Sequence, residues 1–446
     1  MVGKTDFRQA KPHRLGGVLV RLAGRVLAER RVHVIISRPY HGDIGNEKAV
    51  QGKFVLQKLI AARAFPGDNP GMGLKVLIAP DKFKGTLNAG AAAAAIARGW
   101  RLARPDDEIE LLPISDGGDG FGELVSASLG AVSRQCRTVD AAHRPCEVEW
   151  WWEPRTQTAL IEAARGNGLA QLPPGKYHPF ELDTFGLGAI FQAAAKEGAQ
   201  RCLVGIGGSA TNDGGFGLAR ALGWVFLNEH GQVIDRWPEL FSLAQVRFPP
   251  SQHWFEEVLV AVDVQNPLLG PTGCTRVYGP QKGLGPDDFE FAERCLGRLA
   301  EVCRRELHFD AASEPGAGAA GGLGFGLRSF LGARLESGFG LFARYAGLNA
   351  RVRTAQLVIT GEGSIDASTL MGKGVGELAQ FCRQAGVPCI GLAGTVPDPV
   401  KAGERFSIVH DMTPGLTTRE EAMAEPAAWL ERLATRAALA WGKAKT

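Results

Sequence analysis

The chain's 446 residues, 45% hydrophobic and 22% charged, have the composition of a soluble globular protein with room for two domains or one large one. The net charge of +3 is uneven: residues 1–72 hold 13 basic and 5 acidic side chains, leaving −5 on the rest and no basic stripe with interleaved aromatics for a nucleic acid. No run approaches the ~20 apolar residues of a membrane helix, no cleavable leader is evident and the eight cysteines form no CxxC, so the expectation is a cytoplasmic protein with reduced thiols and neither nucleic-acid nor membrane partners.

Along the chain, the apolar segments 18–27 and 32–37 are studded or flanked by Arg21, Arg25, Arg30 and Arg31, and a Pro/Gly-rich stretch follows at 66–73. This reads as an N-terminal extension over 1–72, disordered or no part of the native fold, that adds neither core nor catalysis; an arginine-rich targeting peptide is the alternative. A strand at 74–80 opens a regular pattern, followed by a helix at 89–103, a strand at 108–112 and a helix at 120–129, the spacing of parallel βαβ units. Strands at 357–360, 389–393 and 407–410, with helices at 374–384 and 427–444, repeat that texture near the other end. Between them lie a tryptophan-rich strand at 148–152, a strand at 159–163 and glycine-dense segments at 205–217 and 316–326. The predicted organisation is an α/β parallel-sheet domain built from both chain ends, 73–137 and 352–446. A second α/β domain is inserted at 138–351, and the site lies in the cleft between the two.

Four segments carry chemistry. In 203–217 an apolar strand runs into Gly207, Gly208, Ser209, Ala210 and Thr211 and then a helix, so backbone amides, two hydroxyls and a helix N-terminus can face phosphate oxygens. Asp213 behind it is either a metal or hydroxyl partner or a helix cap. No lysine follows in Walker spacing, and the only imitation of a dinucleotide fingerprint is Gly205, Gly207 and Ala210, so neither standard nucleotide motif applies. The SDGGDG segment at 115–120 places Asp116 and Asp119 at a strand's carboxyl end, suited to Mg²⁺ or a substrate hydroxyl, with helix capping as the alternative. APDKFKGT at 79–86 brings Asp81, Lys82 and Lys84 out of the first strand, and TGEGSIDASTLMGK at 360–373 gathers Glu362, Ser364, Asp366, Thr369 and Lys373. Asp263 and Asn266, and the GPQKG run at 279–283, add polar groups at strand or loop ends. The glycine run at 315–326 suits close helix packing.

Taken in order, APDKFKGTL, SDGGDG, GIGGSATNDGG, VDVQNPL, GPQKG, PGAGAAGGLG, TGEGSID and the later GK resemble the bacterial, two-domain, ATP-dependent glycerate kinase family over residues 74–446. The resemblance implies a flavodoxin-like domain from both chain ends with an inserted α/β domain, ATP and Mg²⁺ as co-reactants, and D-glycerate as the organic acid phosphorylated. 2-Phosphoglycerate is favoured over 3-phosphoglycerate. With the motifs it suggests that Asp213 acts on the hydroxyl or metal and that Asp116 and Asp119 serve metal and substrate. Lys84 and Lys373 would neutralise phosphates, Gly207, Gly208, Ser209 and Thr211 would cradle them, and Glu362 and Asp366 would meet glycerate hydroxyls. Arg165 in EAARGNGL suits the substrate carboxylate as a bidentate partner, or is an ordinary surface arginine. A kinase of another small hydroxy acid, a nucleotide-binding regulatory protein and a homo-oligomeric state all stay open at this stage.

Overall fold

The computed structural model describes residues 73–118, 120–250, 254–370 and 374–443. The expected extension at 1–72, and Asp119 and Lys373, lie outside the described residues. Strands run in chain order from β1 (Lys75–Ile78), β2 (Glu108–Leu111), β3 (Val132–Val139), β4 (Pro145–Glu153) and β5 (Thr158–Glu162). They continue through β6 (Arg201–Gly205), β7 (Val225–Asn228), β8 (Leu243–Arg247), β9 (Glu257–Ala261) and β10 (Arg334–Glu336). The last three are β11 (Leu357–Ser364), β12 (Cys389–Thr395) and β13 (Ile408–Thr413).

The apolar runs of the two chain ends meet in one sheet. Its order is β13-β12-β11-β1-β2, all parallel, with Val76 of β1 opposite Leu357 of β11. Numbered within the sheet this is 2-1-3-4-5, the flavodoxin-like order. A strand buried on both faces needs apolar residues on both, and β1 supplies them: Val76 and Ile78 pack under the helix Ala89–Ala103, while Leu77 faces the helix Gly374–Ala385. The alanines of Ala89–Ala103 let the helix Pro426–Lys443 come close; a Cβ on Gly99 would lie 2.0 Å from the Glu431 carbonyl oxygen. Asp107 ties this layer together, accepting hydrogen bonds from Trp100 Nε1 (2.9 Å), Arg104 Nε (2.6 Å) and Leu74 N (2.9 Å).

The second sheet has the order β10-β9-β6-β5-β4-β3. β5, β6, β9 and β10 are parallel, and β4 runs antiparallel to both neighbours. The chain crosses into this sheet before β3, not at residue 138 as expected. β3 and β4 form a continuous hairpin from Val132 opposite Trp152 to Val139 opposite Pro145, closed by Asp140 accepting from Ala142 N and Arg144 N. Strand alternation sends Trp150 and Trp152 into one core and Trp151 into the other. That other core, with Phe121, Leu160, Leu203, Leu341 and Phe342, is continuous with Leu77 and Val358 of the first sheet. Among the described residues no helix is long and apolar enough to cross a membrane, and all eight cysteines are free thiols.

Candidate active site

In parallel sheets the carboxyl ends of strands and the first turns of the following helices point the same way, which gathers loops into a cleft. Here the loops after β5, β6 and β9 face those after β1 and β2 across a cavity of about 800 Å³. Two glycine loops form the seam. A Cβ on Gly207 would lie 2.7 Å from Gly118 Cα, so the loops touch only because both are bare of side chains there. Asp116 Oδ1 accepts from Gly118 N at 3.2 Å, and Lys82 Nζ lies 3.7 Å from that oxygen. Gly208 is left-handed at φ 76°, and its carbonyl accepts from Leu169 N, stitching the 167–169 segment to the loop. Ser209 lines the cavity with its hydroxyl 3.0 Å from that of Thr211.

Asp263, just past β9, accepts from Gly338 N at 3.0 Å. The residue keeps solvent access from the cleft, while the surrounding loops partly desolvate its carboxylate. Burial first, and then the negative charge of Asp116, raise it to about 7. Arg165 also lines the cavity. Its guanidinium stacks 4.8 Å from the Trp151 ring, bonds Glu149 Oε2 at 2.6 Å, and keeps longer contacts to Glu162 (3.5 Å) and Glu123 (3.6 Å).

The structure thus brings Asp116, Arg165, Gly207, Gly208 and Ser209 around one cavity. Other expected site residues lie apart from its lining. Thr211 is fully buried behind Ser209. Asp213, expected to act on hydroxyl or metal, is also fully buried. Its Oδ2 accepts from Thr184 N (2.9 Å), Thr184 Oγ1 (2.7 Å) and Gly217 N (2.9 Å), and its Oδ1 from Gly215 N (3.3 Å). Four donors at the starts of two helices surround a group that does not face the cleft, which is the capping geometry. Burial and then the charge of Asp183 raise its carboxyl above the ordinary range, against the pull of those bonds.

Lys84 is exposed at the tip of the 83–87 turn, whose ends pair through Phe83 N and Leu87 O, and Lys82 is the lysine of that motif that reaches the cavity. Glu362 accepts from Thr369 Oγ1 at 2.6 Å. Asp366 is held below the usual carboxylate range first by the Ser368 hydroxyl, 2.6 Å away, at the start of the helix Ala367–Leu370. Both order the loop after β11 rather than line the cavity. Beyond Lys82 and Asp263, the lining includes Lys282 and Tyr278 of the helix Cys274–Lys282. The GPQKG run was legible only as polar groups at a loop end, because Pro280 reads as a helix breaker, yet it closes the last turn of this helix.

A flavodoxin-like sheet joined to a second α/β layer, with a glycine seam, carboxylates and lysines at the strand ends, is the build of a phosphotransferase. The chain belongs to the glycerate kinase family, whose profile matches residues 76–442. A glycerate kinase of Halalkalibacterium halodurans is 36% identical over 375 residues, covering 82% of this chain and 99% of its own. The glycerate 2-kinase of Escherichia coli K12 is 34% identical over 354 residues, covering 78% and 93%. A crystal structure described as glycerate kinase 2 from Salmonella typhimurium LT2 superposes with a TM-score of 0.71 at 31% identity, covering 83% of this chain and 99% of that one.

Proposed function

We propose that the protein is an ATP-dependent, Mg²⁺-requiring kinase of D-glycerate that releases ADP and 2-phosphoglycerate. The observation that carries this reading is the contact of Gly118 with Gly207, which sets a glycine phosphate cradle directly beside the carboxylates Asp116 and Asp263. The relative named glycerate 2-kinase supports the position of transfer.

The residues present fit Mg²⁺. Asp263 is pushed up partly by its neighbour Asp116, a repulsion that a cation at Asp116 would relieve. Among the described residues no three His, Cys, Asp or Glu side chains form a closed metal cage, and Mg²⁺ asks for only one or two carboxylates besides water and phosphate oxygens. Bound there, Mg²⁺ would offset the phosphate charge that builds during transfer.

The chain's own residues supply position and charge. Gly207, Gly208 and Ser209 present amides and a hydroxyl to the phosphates, and Lys82 adds a cation at the same edge. Glycerate lies between this cradle and Arg165, whose guanidinium exchanges its two longer contacts, to Glu162 and Glu123, for the substrate carboxylate. Its 2-hydroxyl oxygen then bonds to the γ-phosphorus as the bridging bond to ADP breaks, and Asp263 accepts the hydroxyl proton. Asp213 organises the cradle from behind. A coupled ADP assay with D-glycerate, L-glycerate, tartrate and threonate tests the reading: turnover with D-glycerate supports it, and turnover confined to another acid overturns the substrate.

A further inference from the structure

Lys282 is the last residue of its helix, 6% exposed, yet it lines the cavity floor. Its Nζ donates to the carbonyl oxygen of Thr211 at 2.5 Å. Among the described residues it makes no ion pair and no second hydrogen bond, so a buried ammonium with three N–H donors has one acceptor. A buried cation is held at a cost unless paired, and the space left to its remaining donors is the cavity.

A second element converges on the same point. The helix Ala319–Leu331 is broken near its start by three left-handed residues, Ala320 (φ 55°), Gly321 (φ 70°) and Gly322 (φ 86°). A Cβ on Gly321 would lie 1.9 Å from Thr211 O and 2.8 Å from Lys282 Nζ, so the turn is shaped around that ammonium. Ala320 pays the strain of a left-handed non-glycine residue, and it and Ala319 form the cavity wall there. Loop, lysine and turn come from three separate stretches of chain and meet behind the glycine cradle, on a different element from Lys82.

We propose that Lys282, held by the Thr211 carbonyl and framed by the 319–322 turn, is a phosphate-binding residue that takes the terminal phosphate oxygens of the bound nucleotide. It rests on the kinase reading above for the identity of the phosphate. Burial lowers the ammonium to about 8, and the titratable groups that face it and oppose this are Cys274 of its own helix, itself a protonated thiol, and Asp213 from the 203–217 loop. A substantial fraction of it is therefore the neutral amine at mildly alkaline pH.

The test is calorimetric binding of ADP and ATP to the full chain, wild type and Lys282→Met, alongside both Michaelis constants. We expect Lys282→Met to weaken nucleotide binding roughly 10–100-fold, the loss of a charged hydrogen bond, with the glycerate KM nearly unchanged and the melting temperature retained. As a readout that needs no variant, Mg-ATP should slow acylation of Lys282 in the wild type, followed by peptide mass spectrometry, while glycerate alone should not. Unchanged nucleotide affinity in folded Lys282→Met, a loss confined to the glycerate KM, or acylation indifferent to Mg-ATP would each overturn the proposal. If the wild type turns over no hydroxy acid but the variant still loses nucleotide affinity, the phosphate subsite stands and the kinase reading fails. If the wild type phosphorylates glycerate and the variant binds nucleotide normally, the reverse holds.

Discussion

Thr184 Oγ1 donates to Asp213 Oδ2 at 2.7 Å and accepts from Leu218 N at 2.9 Å, so one hydroxyl joins the loop before the helix Leu187–Lys196 to the start of the helix Phe216–Ala221. Asp213→Ala leaves four buried donors without their acceptor, and we expect a cost of roughly 3–5 kcal/mol. Asp213→Asn keeps an oxygen for the three donors at Oδ2 and should fall between the two in melting temperature. Turnover per folded molecule of Asp213→Asn should stay within about tenfold of wild type. A ~100-fold loss of kcat at an unchanged melting temperature would return Asp213 to the chemical step.

Asp263 lines the cleft and is anchored there through Gly338 N. Asp263→Asn should lower kcat at least ~100-fold, as loss of a proton acceptor does, while thermal melting and nucleotide binding stay near wild type. Near-normal kcat would remove the proton-accepting role.

The Lys282 ammonium, lowered by burial to about 8, gives a pH dependence of defined sign. Its charged form is required for phosphate and is lost as pH rises through that value, so kcat/KM for ATP, which reports the free enzyme, should decline above about pH 8. Bound phosphate favours the charged form, so kcat at saturating ATP should decline only at higher pH. Steady-state profiles at limiting and saturating ATP check this; coincident limbs would count against it.

Asp107 lies below the ordinary carboxylate range: burial pushes it up, but the bonds from Arg104, Leu74 and Trp100 outweigh that. A depressed folded-state value means the stabilisation is complete above the unfolded value of about 3.9 and is lost as pH falls through the folded one. Asp107→Asn should therefore melt well below wild type at neutral pH, with the gap closing under about pH 4. A gap that persists in acid would show that packing, not charge, is what Asp107 contributes.

The strands and helices of the flavodoxin-like half were legible because their apolar runs are short, parallel and punctuated by glycine; the helix at 89–103 matches residue for residue. That Asp116, Arg165 and Gly207 to Ser209 would come together around one cavity was legible because each lies just past the carboxyl end of a strand. Burial was not. Whether Asp213 faces the cleft or two helix starts depends on the path of a loop whose sequence suits both. The boundary near 138 misplaced β3 because its pairing with β4 is set by a turn at Asp140, not by composition. Lys282 was hidden by Pro280, and Lys82 was passed over for Lys84 because only the pairing of Phe83 with Leu87 decides which lysine points inward.

The most direct measurement is phosphorus NMR of the product formed from D-glycerate and Mg-ATP by the purified full chain. We expect equimolar ADP and a phosphate ester on the secondary carbon, coupled to a single carbon-bound proton. A terminal ester coupled to two such protons would contradict the position of transfer, and no ester at all would contradict the kinase reading itself.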